Sequence, residues 1–141
     1  MTRVVRTAAP PPWALRLVAH CAMTVVITVR LLPKHRRPRA RITLARTVRW
    51  LPPADARRAR AVHEAVTACR TSWWRGQLDC KDRAAATVLA VALTGRRCRL
   101  VHGARTLPAA FHSWVETVDG TRIGADEDNG GDHLWTAVHR T

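Results

Sequence analysis

The sequence predicts an α+β domain with N-terminal helices followed by a small antiparallel sheet. Apolar residues recur at helical spacing through residues 13–95, whereas strict alternation and turn pairs dominate residues 97–139. The 141 residues fit one domain, and 47% apolar content is ample for a core. Within that domain, residues 1–60 form a basic, mainly helical region and residues 61–141 carry the chemistry.

Residues 1–12, with Pro10-Pro11-Pro12, read as a flexible arm. Residues 13–32 read as a helix whose apolar middle, 17–29, is too short to span a bilayer and is followed by no small-residue cleavage site. Arg16, His20, Thr24 and Thr28 make a narrow polar stripe on it, as on a buried or partner-docking helix. Residues 33–41 read as a basic, proline-punctuated link and 42–51 as a short helix ended by Pro52-Pro53. Asp55 starts a helix to residue 70 with Ala59, Val62, Ala65, Val66 and Cys69 on one side, suited to packing on the next helix; His63 is assigned to its exposed face. That next helix starts at Cys80, where Asp79 and Asp82 resemble a capping box, and stops at Gly95. Residues 97–102 read as a strand ending at His102, 111–118 and 121–125 as a hairpin about Asp119-Gly120, and 133–139 as a final strand.

Charge is unevenly spread. Residues 1–60 hold fourteen Lys/Arg against Asp55 alone, whereas residues 61–141 hold ten against nine acids. Such a block suits an acidic peptide, protein, lipid or nucleic acid. Nucleic acid is set aside because the aromatic residues are mostly not interleaved with the arginines and no helix-turn-helix, zinc-finger or RNP pattern occurs. Cysteines at 21, 69, 80 and 98 show no structural-zinc spacing, so no metal is expected, and free thiols suit a reducing cytoplasm. Cys21 and Cys98 lie in apolar runs and read as small buried hydrophobes; Cys69 lacks a following helix.

Cys80 differs from these because the first helical position stabilises a thiolate and offers N–H groups to an oxyanion. His112 lies on a strand, and with Asp119-Gly120 as the whole turn Ser113 faces Asp126 and His112 faces Glu127. Asp126 is then one diagonal step from His112, placed to hold its tautomer; Glu127 or Asp128 replaces it if the register slips. Cysteine, histidine and carboxylate in that order are a nucleophile, base and orienting acid. Trp114 shares the His112 face and either shields the pair or packs in the core, and Gln77 stands where its amide can reach an oxyanion. Trp73 and Trp74 are candidates for the cleft, and Glu116 for an arginine partner.

Cys80 with Arg83, the apolar helix, Gly103, the strand His112-Ser113-Trp114-Val115-Glu116 and Asp119-Gly120 together resemble the transglutaminase-like leader peptidases of lasso-peptide biosynthesis, from about Ala61 onward. The resemblance implies a papain-like/transglutaminase-like fold and a bacterial, cytoplasmic cysteine peptidase that needs no cofactor. Such an enzyme removes the leader from a ribosomally made precursor peptide, beside a small leader-binding protein and an ATP-dependent lasso cyclase. By position Cys80 is then the nucleophile, His112 the base and Asp126 the acid. The same site with an amine acceptor is a transglutaminase or acyltransferase, and a basic nucleic-acid-binding or scaffold protein is the reading without chemistry. Residues 13–60, with their striped helix and the arginines at 36, 37, 39 and 41, are expected to help dock the leader-binding protein or the leader itself.

Overall fold

Proline at a helix start loses nothing, because the first N–H groups of a helix have no partner within it. A computed structural model, describing residues 10–69, 76, 78–106, 109–125 and 135–141, begins its first helix behind Pro12. This helix, α1 (Trp13–Arg30), buries Ala19, Ala22, Met23, Val26, Ile27 and Val29. Full burial of Met23, Val26 or Ile27 contributes on the order of 1.5–3 kcal/mol each. Arg16, His20, Thr24 and Thr28 lie exposed, and the two threonine hydroxyls donate to carbonyls four residues back. Cys21 is exposed beside this stripe, not buried as its apolar neighbours suggested. At 18 residues and mean hydropathy 1.3, α1 is long and apolar enough by composition to cross a bilayer, although a third of it is buried against the rest of the chain.

The second helix, α2 (Arg37–Thr47), starts and stops earlier than the sequence suggested. Pro38 lies in its first turn, where proline is favoured, so the proline read as a linker mark is a helix start. Only Ala45 is buried on α2, so apolar packing alone does not hold it. In α3 (Ala56–Ala68), Asp55 accepts a hydrogen bond from the Arg58 N–H at 2.7 Å, a cap worth about 1 kcal/mol. His63 is buried with Ala59, Val62, Ala65 and Val66, which corrects its assignment to an exposed face.

The central helix is α4 (Cys80–Leu93). Alanines at 84, 85, 86 and 90 let it sit close to α1, α3 and the sheet, and it is buried along most of its length. Asp79 caps it, accepting from the Asp82 N–H at 3.0 Å. Asp82 does not complete a capping box. Its fully buried carboxylate accepts from Arg30 at the end of α1 (3.0 Å) and from Arg41 on α2 (2.5 Å). Burial pushes its pKa up, while Arg41 and Arg30 pull it back.

Four antiparallel strands follow in the order β3-β2-β1-β4: β1 (Arg99–Thr106), β2 (Ala109–Glu116), β3 (Arg122–Ile123) and β4 (Thr136–Arg140). One face, with Leu100, Val115 and Ile123, closes the main core against the helices; the other gathers Val101, Trp114, Ala125, Trp135 and Ala137. His102 lies within β1, not at its end, and Glu116 pairs with Arg140 at 3.3 Å.

The β2–β3 turn has three residues, not two. Val115 faces Ile123 and Glu116 faces Arg122, so Val118, Asp119 and Gly120 form the loop and the register moves by one from the sequence reading. Gly120 takes φ 89, the left-handed position that ends a three-residue hairpin loop. The Asp119 carboxylate pins the loop by accepting from the Thr117 hydroxyl and the Thr121 N–H, which hold its pKa down.

Removing one partner of a buried ion pair leaves the others uncompensated, at a cost of about 3–5 kcal/mol. Asp82→Ala is therefore expected to lower unfolding stability by about that amount in urea titration, far more than Asp119→Ala. A loss under about 1 kcal/mol would show that α2 is held otherwise.

Candidate active site

Cys80 occupies the first turn of α4, half-buried, beside the outer edge of β2. Because β3 pairs with β2 only at Val115 and Glu116, β2 is left without a paired residue on that side at Ser113 among the described residues. The Ser113 N–H donates to the Cys80 sulfur, and the His112 side chain hydrogen-bonds the same sulfur. The His112 bond is the main cause of a lowered Cys80 pKa; burial opposes it, Ser113 adds to it, and Asp79 works weakly against it. The positive end of α4 acts in the same direction, worth about 0.3–1 kcal/mol for an anion in the first turn.

The tautomer of His112 follows from its other contact. Nε2 lies 2.7 Å from the carbonyl oxygen of Gly124, which can only accept, so Nε2 carries the proton. The lone pair of the neutral ring is then on Nδ1, the nitrogen left for the thiol proton. The Gly124 carbonyl thus holds one nitrogen of the ring. Asp126, Glu127 and Asp128, as well as Gln77, Trp73 and Trp74, lie outside the described residues.

Aromatic rings enclose His112. Trp114, 1% exposed, stacks at 6.3 Å between centroids, and Trp135 lies at 5.2 Å. Trp114 crosses Gly103, the cross-strand partner of His112: a Cβ there would stand 2.3 Å from the indole ring. Glycine at 103 is therefore a condition for this aromatic wall.

His63, Gly124, Trp135 and the Ser113 N–H were not singled out for the site by the sequence. The Thr87 hydroxyl donates to the Arg83 carbonyl (2.9 Å), so His63 Nδ1–H donates to Thr87 Oγ1 (3.0 Å). The ring edge of His63 rests on Gly124, where an added Cβ would come within 3.0 Å of Cε1, and φ 77 disfavours any side chain. His63, Cys80, His112, Trp114 and Gly124 line a crevice of about 10 Å³, room for about one water. The signal for His63 is its spacing, four residues after Ala59 and three before Val66, on the apolar side of α3.

The other cysteines have different surroundings. Cys69 lies 3.2 Å from His20 Nδ1, with its thiol pushed up by burial; Cys98 is buried and pushed up to about 12. A cysteine at a helix start, hydrogen-bonded to a strand histidine, is the arrangement of covalent acyl chemistry.

The transglutaminase-like superfamily domain matches residues 14–135, a span that takes in all four helices and the sheet as far as Trp135. The chain belongs to the transglutaminase-like superfamily. Members of the superfamily are commonly cysteine proteases or acyltransferases. Comparison with curated proteins gives no match, and comparison with solved structures gives none. The superfamily match begins in α1, so the basic N-terminal helices belong to the same domain match as the Cys80–His112 pair.

Iodoacetamide alkylation of Cys80 should rise with pH around a midpoint below the ordinary thiol value of 9.0. His112→Ala should move that midpoint up, because the group that favours the thiolate is gone; Gly124→Ala should move it the same way by less. Cys69 and Cys98 should label more slowly near neutrality. Peptide mapping of the labelled protein distinguishes them, and a Cys80 midpoint unchanged by His112→Ala would break the link between the two residues.

Proposed function

We propose that this protein is a cysteine peptidase that removes the leader from a lasso-peptide precursor. The observation that carries the chemistry is the hydrogen bond between Cys80 at the start of α4 and His112, held by the Gly124 carbonyl. The substrate class rests on the resemblance of Cys80/Arg83, Gly103, His112–Glu116 and Asp119-Gly120 to the leader peptidases of that pathway. The proposed setting is the bacterial cytoplasm.

In this reading the Cys80 thiolate attacks the carbonyl at the leader–core junction, and a carbon–sulfur bond forms as the oxyanion turns toward the Cys80 N–H at the helix start. His112 gives its Nδ1 proton to the departing core amine as the carbon–nitrogen bond breaks. Water then attacks the thioester, His112 takes one of its protons, and the leader leaves as a carboxylic acid while the thiol is restored. Asp126 is assigned to support His112 from the stretch just after Ala125, ahead of Glu127 and Asp128. The leader-binding protein presents the precursor, and the lasso cyclase receives the freed core.

The basic helices are the proposed docking side for the leader-binding protein. Arg41 is committed to Asp82, so the docking charges are those of Arg36, Arg37, Arg39 and Arg46; of these Arg37 donates to the nearby Leu32 carbonyl. Stimulation by the partner should fall as salt rises and the Debye length shortens to about 8 Å at physiological ionic strength. Glutamine at those four positions should weaken stimulation while leaving Cys80 alkylation as it is; undiminished stimulation at low salt would assign docking elsewhere.

Incubation of the protein with precursor and leader-binding protein, followed by mass spectrometry, tests the reading directly. Free leader acid and core should appear, Cys80→Ala should abolish them, and Asp126→Asn should slow them far more than Asp119→Asn. An amine-capped leader formed in place of the acid when amines are supplied would assign the acyltransferase reaction instead. Cleavage by Cys80→Ala at the wild-type rate would refute the proposal.

A further inference from the structure

Beside the Cys80 crevice is a larger, partly open pocket of about 260 Å³ between α2, the start of α4 and strands β1 and β2. His112 and Ser113 line both spaces, so the pocket adjoins the crevice that holds Cys80. Its other walls include Pro38 and Ile42 from α2 and Phe111 from β2. Pro38 and Ile42 stand four residues apart on one side of α2, and Phe111 is 79% exposed, an unusual degree for the single phenylalanine of the chain.

We propose that this cavity is the specificity pocket of the enzyme and takes a large apolar side chain of the substrate, adjacent to the bond that Cys80 attacks. The proposal rests on the acyl chemistry proposed above and names what selects its substrate. An extended peptide advances about 3.3–3.6 Å per residue, so a side chain one or two residues from the attacked carbonyl reaches past Ser113. A cavity of about 150 Å³ already holds a benzene ring, so 260 Å³ admits Leu, Met or Phe. The cations beside it, Lys81 at the rim and Arg41 bound to Asp82, repel a Lys or Arg side chain. The wall contributed by α2 belongs to the basic N-terminal region, so in this proposal that helix helps select the substrate and is not only surface.

N-acetyl dipeptide p-nitrophenyl esters, with Ala, Leu, Phe, Asp or Lys at either residue, test the assignment, because acylation of Cys80 releases p-nitrophenolate without the partner protein. The full chain should turn over the Leu and Phe esters at least about tenfold faster in kcat/KM than the Ala ester at one position, with Lys slowest. Ile42→Trp and, on the exposed side of α2, Pro38→Trp fill the cavity and should reduce the Leu/Ala ratio to below about threefold. Circular dichroism establishes that both variants fold. Cys80-dependent turnover with no apolar preference, a preference for Asp, or a Leu/Ala ratio undiminished in both filled variants overturns the pocket and leaves the peptidase reading standing. Turnover equal in the full chain and its Cys80→Ala variant overturns the catalytic reading and the pocket with it.

Discussion

The carboxylate of Asp82 is buried two residues beyond Cys80, where an unpaired charge would cost several kcal/mol. It is tolerated because guanidinium groups from two other helices reach it, Arg30 from the last turn of α1 and Arg41 from α2. This ionic contact ties three helices to the first turn of α4. Since α2 buries only Ala45, its position over the sheet, and with it one wall of the cavity beside His112, depends on Arg41. Two charges read as part of a diffuse basic surface are therefore structural parts of the site.

Fixing the start of α4 also fixes the sulfur. Cys80 meets β2 at Ser113, where the short β3 has ended and a backbone N–H is available to a sulfur instead of a ladder carbonyl. His112 is oriented from three sides, by the Gly124 carbonyl, by Trp114 lying over Gly103, and by Trp135. His63 secures Gly124 in turn, through a ring that itself donates to Thr87 on α4. The central helix thus reaches His112 by two routes, through Cys80 at its start and through Thr87, His63 and Gly124. Such closure limits the number of geometries available to the pair, which is what proton transfer between them requires.

What could be read from the sequence was what depends on near neighbours. The cap at Asp79, the start of α4 at Cys80 and the cap at Asp55 are all set by residues within a few positions, and the structure has them; β2 is also present, but buried on both faces from His112 to Glu116 instead of alternating. The α+β order followed from the change of period along the chain. Features set by distant contacts were lost: Asp82 has the spacing of a capping box, yet its oxygens go to α1 and α2. Asp119-Gly120 looks like a complete two-residue turn, but Val118 joins the loop and moves the register by one. Pro38 was read as a break because proline marks both linkers and helix starts. His112 Nε2 also meets the main-chain carbonyl of Gly124, and no residue type announces which carbonyl will face a ring.

Covalent capture of the substrate on Cys80 is the central chemical claim, and intact-protein mass spectrometry of an acid-quenched reaction measures it most directly. With precursor and leader-binding protein present, a fraction of the chain should gain the mass of the leader acyl group. Peptide mapping should place that mass on Cys80 as a thioester that hydroxylamine removes. Leader release with no such adduct at any quench time, together with full release by Cys80→Ala, would contradict it.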